Sequence, residues 1–144
     1  MYSAVFAKFI SEMLSGNAPI IFGDGEQSRD FTYIDNAVSA NLLATTAPAA
    51  AVCGKVFNVA TGERTTLNQA FASLKKLTGF TGSPVYQPAR SGDIKHSLAD
   101  ISLAKKRVGY AVLVPFEEGL RRTVDWYRAQ SEHARPAVTV ASSR

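Results

Sequence analysis

Apolar and polar residues alternate along most of the chain with the spacing of amphipathic helices. Five stretches place apolar side chains three and four positions apart, which predicts a helix with one buried face for each. They are residues 3–15, 36–47, 66–78, 100–108 and 115–130. Thr66 and Gln69 form a predicted capping box at one helix start, and Gly79 and Gly109 follow two helix ends. The pattern therefore predicts about five helices.

Short apolar runs between these helices have the length and composition of strands. They are residues 19–22, 31–34, 55–60 and 84–87. Helices and strands that alternate in this way are typical of an α/β fold. Because a few short strands would leave open edges on their own, we expect them to complete a larger sheet.

Length and composition fit one domain, or part of a larger one. The 144 residues are 46% hydrophobic and 10% aromatic, which suffices for a core. The helical periodicity is lost from Ser131 onward. We therefore predict a domain over residues 1–130 and a disordered tail over residues 131–144.

Charge and cysteine usage exclude several classes of function. The net charge of +4 is scattered and forms no basic stripe interleaved with aromatic residues, so we expect no nucleic-acid partner. No apolar run is long enough to cross a membrane, and Lys8 and Glu12 interrupt the first apolar stretch, so no signal peptide is visible. Cys53 is the only cysteine, which excludes an internal disulfide and suits the cytoplasm, where we expect the protein. One cysteine and two histidines give no metal-ligand spacing.

Two polar loops carry the candidate binding chemistry. Residues 90–97 include Arg90 and Asp93, and residues 23–30 include Arg29. Arginine presents a planar fork of donors that pairs with phosphate oxygens, and a nearby carboxylate accepts hydrogen bonds from sugar hydroxyls. An arginine and an aspartate in one loop are also compatible with an ordinary turn, and Arg29 with a surface ion pair to Asp24 or Asp30.

Motifs for dinucleotide binding and catalysis are absent from the sequence. Gly23-Asp24-Gly25 lacks the third glycine of a Gly-x-Gly-x-x-Gly turn and does not open a predicted helix. No tyrosine is followed four positions on by lysine, and there is no nucleophile elbow or zinc motif. We therefore assign no catalytic, cofactor-binding or metal-binding residue to this chain, and we interpret His96 as a loop residue that nothing nearby orients.

Four ordered segments resemble a known family. They are residues 21–34, 56–63, 90–93 and 97–102, the first of which contains Gly-Asp-Gly-Glu-Gln-Ser-Arg-Asp-Phe. Together they resemble the C-terminal half of extended short-chain dehydrogenase/reductases, the nucleotide-sugar epimerases and dehydratases. The likeness extends over residues 2–128. Details such as Asn36, where most relatives carry Asp, resemble the bacterial branch of UDP-N-acetylglucosamine 4-epimerases.

The resemblance implies a role for each of five residues. Arg29 and Arg90 match the two arginines that clasp the substrate diphosphate, and Asp93 matches the acceptor for the ribose hydroxyls. Phe22 lies where relatives place residues against the uracil. Ser97 matches a position at the sugar end, where a small side chain leaves room for an N-acetyl group. The alternative for each is structural: an ion pair, a turn, a core strand position, or a solvated residue before a helix.

The resemblance also implies what lies outside this chain. In the family, an N-terminal Rossmann half binds NAD and supplies the catalytic tyrosine and lysine, and members are often dimers. We therefore expect the UDP-sugar-binding part of an NAD-dependent 4-epimerase for surface polysaccharide, inactive by itself. The alternatives are a stand-alone nucleotide-sugar-binding module, an inactive remnant, and a UDP-sugar dehydratase or decarboxylase of the same family.

Overall fold

The computed structural model describes residues 5–133, and side chains as far as Ser131. Within this range, six helices and four short strands follow one another. They are α1 (Val5–Leu14), β1 (Ile20–Phe22), β2 (Ser28–Arg29), α2 (Ile34–Thr46), α3 (Ala49–Val52), β3 (Thr65–Thr66), α4 (Leu67–Thr78), β4 (Val85–Gln87), α5 (Ser102–Val108) and α6 (Phe116–His133). The predicted α/β class is confirmed. The one helix that the sequence pattern did not indicate is α3, a single turn.

Three helices pack around the first of two hydrophobic clusters. The apolar faces of α1, α4 and α6 meet there and enclose one residue of β1. The buried members are Phe9, Ile10, Met13, Ile21, Phe71, Leu74, Leu120 and Val124. Burying a side chain of this size contributes about 1.5–3 kcal/mol. The predicted helical stripes therefore hold this half of the chain together.

Helix α4 begins and ends where its sequence signals predict. The Thr66 hydroxyl accepts a hydrogen bond from the Gln69 N–H at 3.1 Å, and the Gln69 amide oxygen accepts one from the Thr66 N–H at 2.9 Å. At the other end Gly79 adopts the left-handed conformation with φ +77°, which only glycine adopts at little cost. The capping box and the glycine stop are thus confirmed.

The strands form two small pairs that join distant parts of the chain. β1 pairs in parallel with β4, with Ile21 opposite Tyr86, so two predicted strands are confirmed. β2 pairs antiparallel with β3. The strand predicted over residues 31–34 is wrong, because the paired residues are the polar ones just before it and α2 already begins at Ile34.

The strand predicted over residues 55–60 is also wrong. It pairs with no other strand within residues 5–133. Its alternation is nevertheless real, because Phe57 and Val59 pack against the second hydrophobic cluster while Val56 is 87% exposed. That cluster joins α2 and α5 to the segments that flank them, and its buried members are Ala40, Ala60, Ile101, Ala104, Val108 and Tyr110.

The last helix is longer at its C-terminal end than the sequence predicts. α6 continues to His133, past the predicted boundary at residue 130, and the rest of the predicted tail, residues 134–144, lies outside the described residues. None of the helices within residues 5–133 is long and apolar enough to cross a membrane.

Candidate functional site

The loop between β1 and β2 is fixed from one side by Asn68 at the start of α4. Its amide donates hydrogen bonds to the Asp24 carbonyl at 3.1 Å and to the Glu26 carboxylate, and its backbone N–H donates to the Gly25 carbonyl. A Cβ at Gly25 would lie 2.0 Å from the Asn68 amide oxygen, and Gly25 has φ +76°. Position 25 therefore requires glycine, and the loop has one well-defined path into β2.

Residues 95–97 run beside β2 and bring the two polar loops together. The Ser28 N–H donates to the Lys95 carbonyl at 2.8 Å, and the Ser97 N–H donates to the Ser28 carbonyl at 3.0 Å. Ser28 is only 4% exposed, and a hydrogen bond of 2.9 Å joins its hydroxyl to His96 Nδ1. Our interpretation that nothing orients His96 is wrong, since Ser28 does so.

Arg29 forms an ion pair with Asp93 rather than with its near neighbours. Its Nη2 lies 2.7 Å from Asp93 Oδ1, and both side chains are 26% exposed. Its Nη1 donates to the carbonyls of Ser28, at 2.8 Å, and Lys95, at 3.3 Å. Asp24, one of the alternative partners, faces Lys95 at 3.6 Å instead. The Glu26 N–H, and secondarily Lys95, lower the pKa of Asp24.

Arg90 lies over Phe22, the last residue of β1. The guanidinium carbon is 3.8 Å from the centre of the ring. The carbonyl of Arg90 accepts a hydrogen bond from the Asp93 N–H at 3.3 Å, which closes the turn between them. Arg29 and Arg90 therefore adjoin the same aspartate, one through its carboxylate and the other through its backbone.

All five residues singled out in the sequence lie on two adjoining segments, residues 22–29 and 90–97. Ser97 is exposed, and its backbone forms the bond to Ser28 described above. Sequence reasoning missed Ser28 as the link between the segments, and it considered Asp30 only as a partner for Arg29. The available signal was their position, because both are polar residues directly beside Arg29, the predicted ligand-binding arginine.

Two grooves of the described surface lie away from these loops. One groove of about 400 Å³ follows the apolar face of α2, and a second of about 170 Å³ lies between α2 and α5. The two polar loops form a charged and partly exposed surface. Its two cations, its carboxylate and its aromatic ring suit binding of an anion attached to a planar base.

The same loops do not fit a dinucleotide cofactor. The turn through Gly23 and Gly25 leads into β2 and not into the N-terminus of a helix, so it lacks the aligned N–H groups that hold a pyrophosphate in a dinucleotide fold. Among the described residues, no cluster of three or more histidine, cysteine or acidic side chains could hold a metal ion.

Comparison with known proteins identifies the family. A model of the NAD dependent epimerase/dehydratase family matches residues 1–60. The UDP-glucose 4-epimerase of Mycolicibacterium smegmatis is 32% identical over 130 residues, which are 90% of this chain and 41% of that protein. The chain belongs to the NAD dependent epimerase/dehydratase family.

Two solved structures of nucleotide-sugar epimerases share the fold. The UDP-glucose 4-epimerase of Thermotoga maritima, solved with UDP-glucose, has a TM-score of 0.82 and 44% identity, over 88% of this chain and 40% of that chain. A UDP-N-acetylglucosamine 4-epimerase from Methanobrevibacter ruminantium, in complex with UDP-N-acetylmuramic acid, has a TM-score of 0.79 and 42% identity, over 90% and 40%. The fold is that of the extended short-chain dehydrogenase/reductases, and this chain spans 39% and 41% of the first two curated relatives that it matches.

Proposed function

We propose that this chain is the nucleotide-sugar-binding part of an NAD-dependent 4-epimerase whose substrate is a UDP-N-acetylhexosamine. One observation carries the proposal: Phe22, Arg29, Arg90, Asp93 and Ser97 lie on two segments that are hydrogen-bonded side by side. These segments present the groups that a base, a ribose and a diphosphate require. Solved relatives of the same fold, with UDP-sugars in their complexes, support the choice of ligand class.

Substrate binding exchanges internal contacts for contacts with the ligand. The diphosphate takes the guanidinium groups of Arg29 and Arg90, and the base replaces Arg90 on the ring of Phe22. Asp93 turns one carboxylate oxygen to the ribose hydroxyls. Arg90 gives up a contact with an aromatic ring for charge-assisted bonds to phosphate, which are about twice as strong as bonds between neutral groups. Arg29 exchanges one charge-assisted partner, the carboxylate of Asp93, for another.

The residues of this chain bind and orient the sugar, and the redox chemistry belongs to the part of the enzyme that the chain does not span. NAD, held there, supplies the hydride transfer at carbon 4 of the sugar. Ser97 leaves space for an N-acetyl group at the sugar end. We propose that the full-length enzyme is a homodimer and supplies precursors for surface polysaccharide.

Calorimetric titration of the 144-residue chain with UDP tests the binding site. Arg29→Ala and Arg90→Ala should each weaken binding by about 1.5–3 kcal/mol, the size of a lost charge-assisted contact. Arg107→Ala, which removes the same charge from the exposed end of α5, is the control and should bind UDP as the wild type does. Unchanged affinity in both site variants would overturn the diphosphate assignment.

Turnover assays separate the candidate functions. The family description covers dehydratases as well as epimerases, so a dehydrated product from the full-length enzyme would favour that alternative. The isolated chain with added NAD should not interconvert UDP-N-acetylglucosamine and UDP-N-acetylgalactosamine, and measured interconversion would refute this expectation. If the chain binds no UDP even at millimolar concentration, it is an inactive remnant instead.

A further inference from the structure

The carboxylate of Asp30, directly after β2, joins three segments of the chain. Its Oδ1 accepts hydrogen bonds from the Thr61 N–H at 2.9 Å and from the Thr61 hydroxyl at 2.5 Å. Its Oδ2 accepts from the Gly62 N–H at 2.9 Å and from the Ala99 N–H at 3.5 Å. Within residues 5–133 Asp30 has no cationic partner, so these four donors hold the half-buried carboxylate.

These bonds complete a series that ties β2 to the segment carrying the predicted sugar-end residue. Successive positions of β2 and its continuation bond to residues 93–99: Ser28 to Lys95 and Ser97, Arg29 to Asp93 and Lys95, and Asp30 to Ala99. Asp30 makes the last bond of this series. It is also the member of the series whose side chain accepts hydrogen bonds from the turn at Thr61 and Gly62. The carboxylate therefore lies where three segments of the chain meet, directly after Arg29.

We propose that Asp30 is a positioning residue of the nucleotide-sugar site. Its carboxylate fixes the chain after Ser97 against the end of β2, and so sets where Arg29 and Ser97 lie relative to each other. This inference rests on the proposed function and extends it to a residue that does not contact the ligand. The distance between Arg29, at the diphosphate, and Ser97, at the sugar, depends on the hydrogen bond between Asp30 and Ala99.

The arrangement requires two acceptor oxygens at position 30. An asparagine would replace one oxygen with an NH₂ group, which would face an N–H group of Thr61 or Gly62 and lose its bonds there. The turn has a second anchor, because the Tyr110 hydroxyl donates to the Ala60 carbonyl at 2.7 Å. Burial, and then the charge of Asp30, raise the pKa of Tyr110, so this hydroxyl stays protonated at neutral pH. Loss of the carboxylate should therefore shift the segments without unfolding the turn.

Asp30→Asn in the 144-residue chain tests the role by two measurements. In amide NMR spectra without ligand, the signals of Thr61, Gly62 and Ala99 should move, and with them those of Arg29 and Ser97. Calorimetry should then show a Kd for UDP-N-acetylglucosamine raised about tenfold, the loss expected from one weakened charge-assisted contact. Because a residue that only stabilises the fold lowers the thermal midpoint and leaves the Kd of the folded chain unchanged, the Kd separates the two roles.

Asp35→Asn is the matched control. Asp35 lies in the first turn of α2, away from the two loops, and forms an ion pair of 3.0 Å with Arg122. The variant loses this ion pair. This variant should lower the thermal midpoint slightly and leave the Kd and the Arg29 and Ser97 signals as in the wild type. Equal behaviour of both variants at the site would contradict a special role for Asp30.

The outcomes distinguish the two proposals. A wild-type chain that binds no UDP-sugar overturns the proposed function, and the positioning of its site falls with it. A wild type that binds, together with an Asp30→Asn variant that binds equally well, overturns only the role of Asp30. If Asp30→Asn does not fold, Thr61→Val removes one of the four bonds, and a smaller rise in Kd with movement of the Ser97 signal is then required.

Discussion

The guanidinium carbon of Arg90 lies 3.8 Å from the centre of the Phe22 ring. The sequence assigned the ring to the base and the guanidinium to the diphosphate, whereas the structure joins the two to each other. A cation over an aromatic ring at an exposed site contributes about 0.5–1 kcal/mol, and a stacked base about 1–3 kcal/mol. The base can therefore displace Arg90, which at the same time becomes free to bind phosphate.

Phe22→Leu should raise the Kd for UDP, because leucine fills similar space at the end of β1 but offers no ring for stacking. The expected loss is about 1–3 kcal/mol by calorimetry. Phe80→Leu is the control: Phe80 packs edge-on against Phe71 in the first cluster, so its replacement lowers stability without changing the Kd. If Phe22→Leu binds UDP as tightly as the wild type, Phe22 has no place in the base site.

Ser97→Tyr should change the preference between sugars. The Ser97 N–H holds Ser28, and the exposed side chain can be enlarged without breaking that bond. A tyrosine at the sugar end should weaken UDP-N-acetylglucosamine relative to UDP-glucose by about tenfold or more, through loss of space for the acetyl group. Competition titrations with both sugars measure the ratio. Ser91→Tyr, in the same exposed loop, should leave the ratio unchanged, and an unchanged ratio in Ser97→Tyr would remove Ser97 from the site.

Local signals predicted the helices well. Both ends of α4 follow from its capping box and from Gly79, because these signals act within four residues of the helix end. The strands depend on partners far along the chain. Ser28 and Arg29 pair with β3 through their backbones and carry no apolar alternation, so the sequence pointed instead to the apolar run that follows them.

Residues 55–60 show the same limit of a local pattern. The sequence predicted correctly that alternate side chains face a core, since Phe57 and Val59 do so. A strand also requires a hydrogen-bonding neighbour, and none of the described segments provides one. The alternation therefore shows which side chains face the core and does not show strand pairing.

For the candidate site, the sequence predicted the residues but not the contacts between them. Motifs identified which residues to consider, and all five lie on two adjoining segments. The pairing of Arg29 with Asp93, 64 positions apart, depends on how β2 lies beside residues 95–97, and no spacing in the sequence encodes it. The bonds made by Ser28 and Asp30 were missed because their partners are mostly backbone groups far along the chain, and the sequence does not identify which groups these are.

Asn36→Ala should destabilise the fold strongly. Asn36 is fully buried, and its side chain donates to the Val114 carbonyl at 2.8 Å and accepts from the N–H groups of Leu113 and Val114 at 2.9 Å each. Alanine would leave these backbone groups without their partner, at a cost of about 2–4 kcal/mol in urea unfolding. Asn41→Ala, at an exposed position of the same helix, should change stability by less than about 0.5 kcal/mol. Similar losses in both variants would show that Asn36 does not anchor the segment before α6.

Glu118 on α6 makes stability depend on acid pH. Its carboxylate accepts hydrogen bonds from Arg121, at 2.8 and 2.9 Å, and from Arg122 at 2.7 Å, and these bonds lower its pKa from an ordinary 4.5 to about 2. Because the folded pKa is the lower one, these bonds stabilise the fold above pH 4.5 and their contribution disappears as the pH falls towards 2.

Glu118→Gln should therefore give a flatter profile of unfolding free energy against pH across that acid range. The difference from wild type should shrink in high salt, because these charges are exposed and screened. Glu12→Gln, at an exposed position of α1, is the control and should keep the wild-type slope. Urea unfolding at several acid pH values measures both slopes. If Glu118→Gln keeps the slope of the wild type, the arginine contacts do not contribute to the stability of the folded chain.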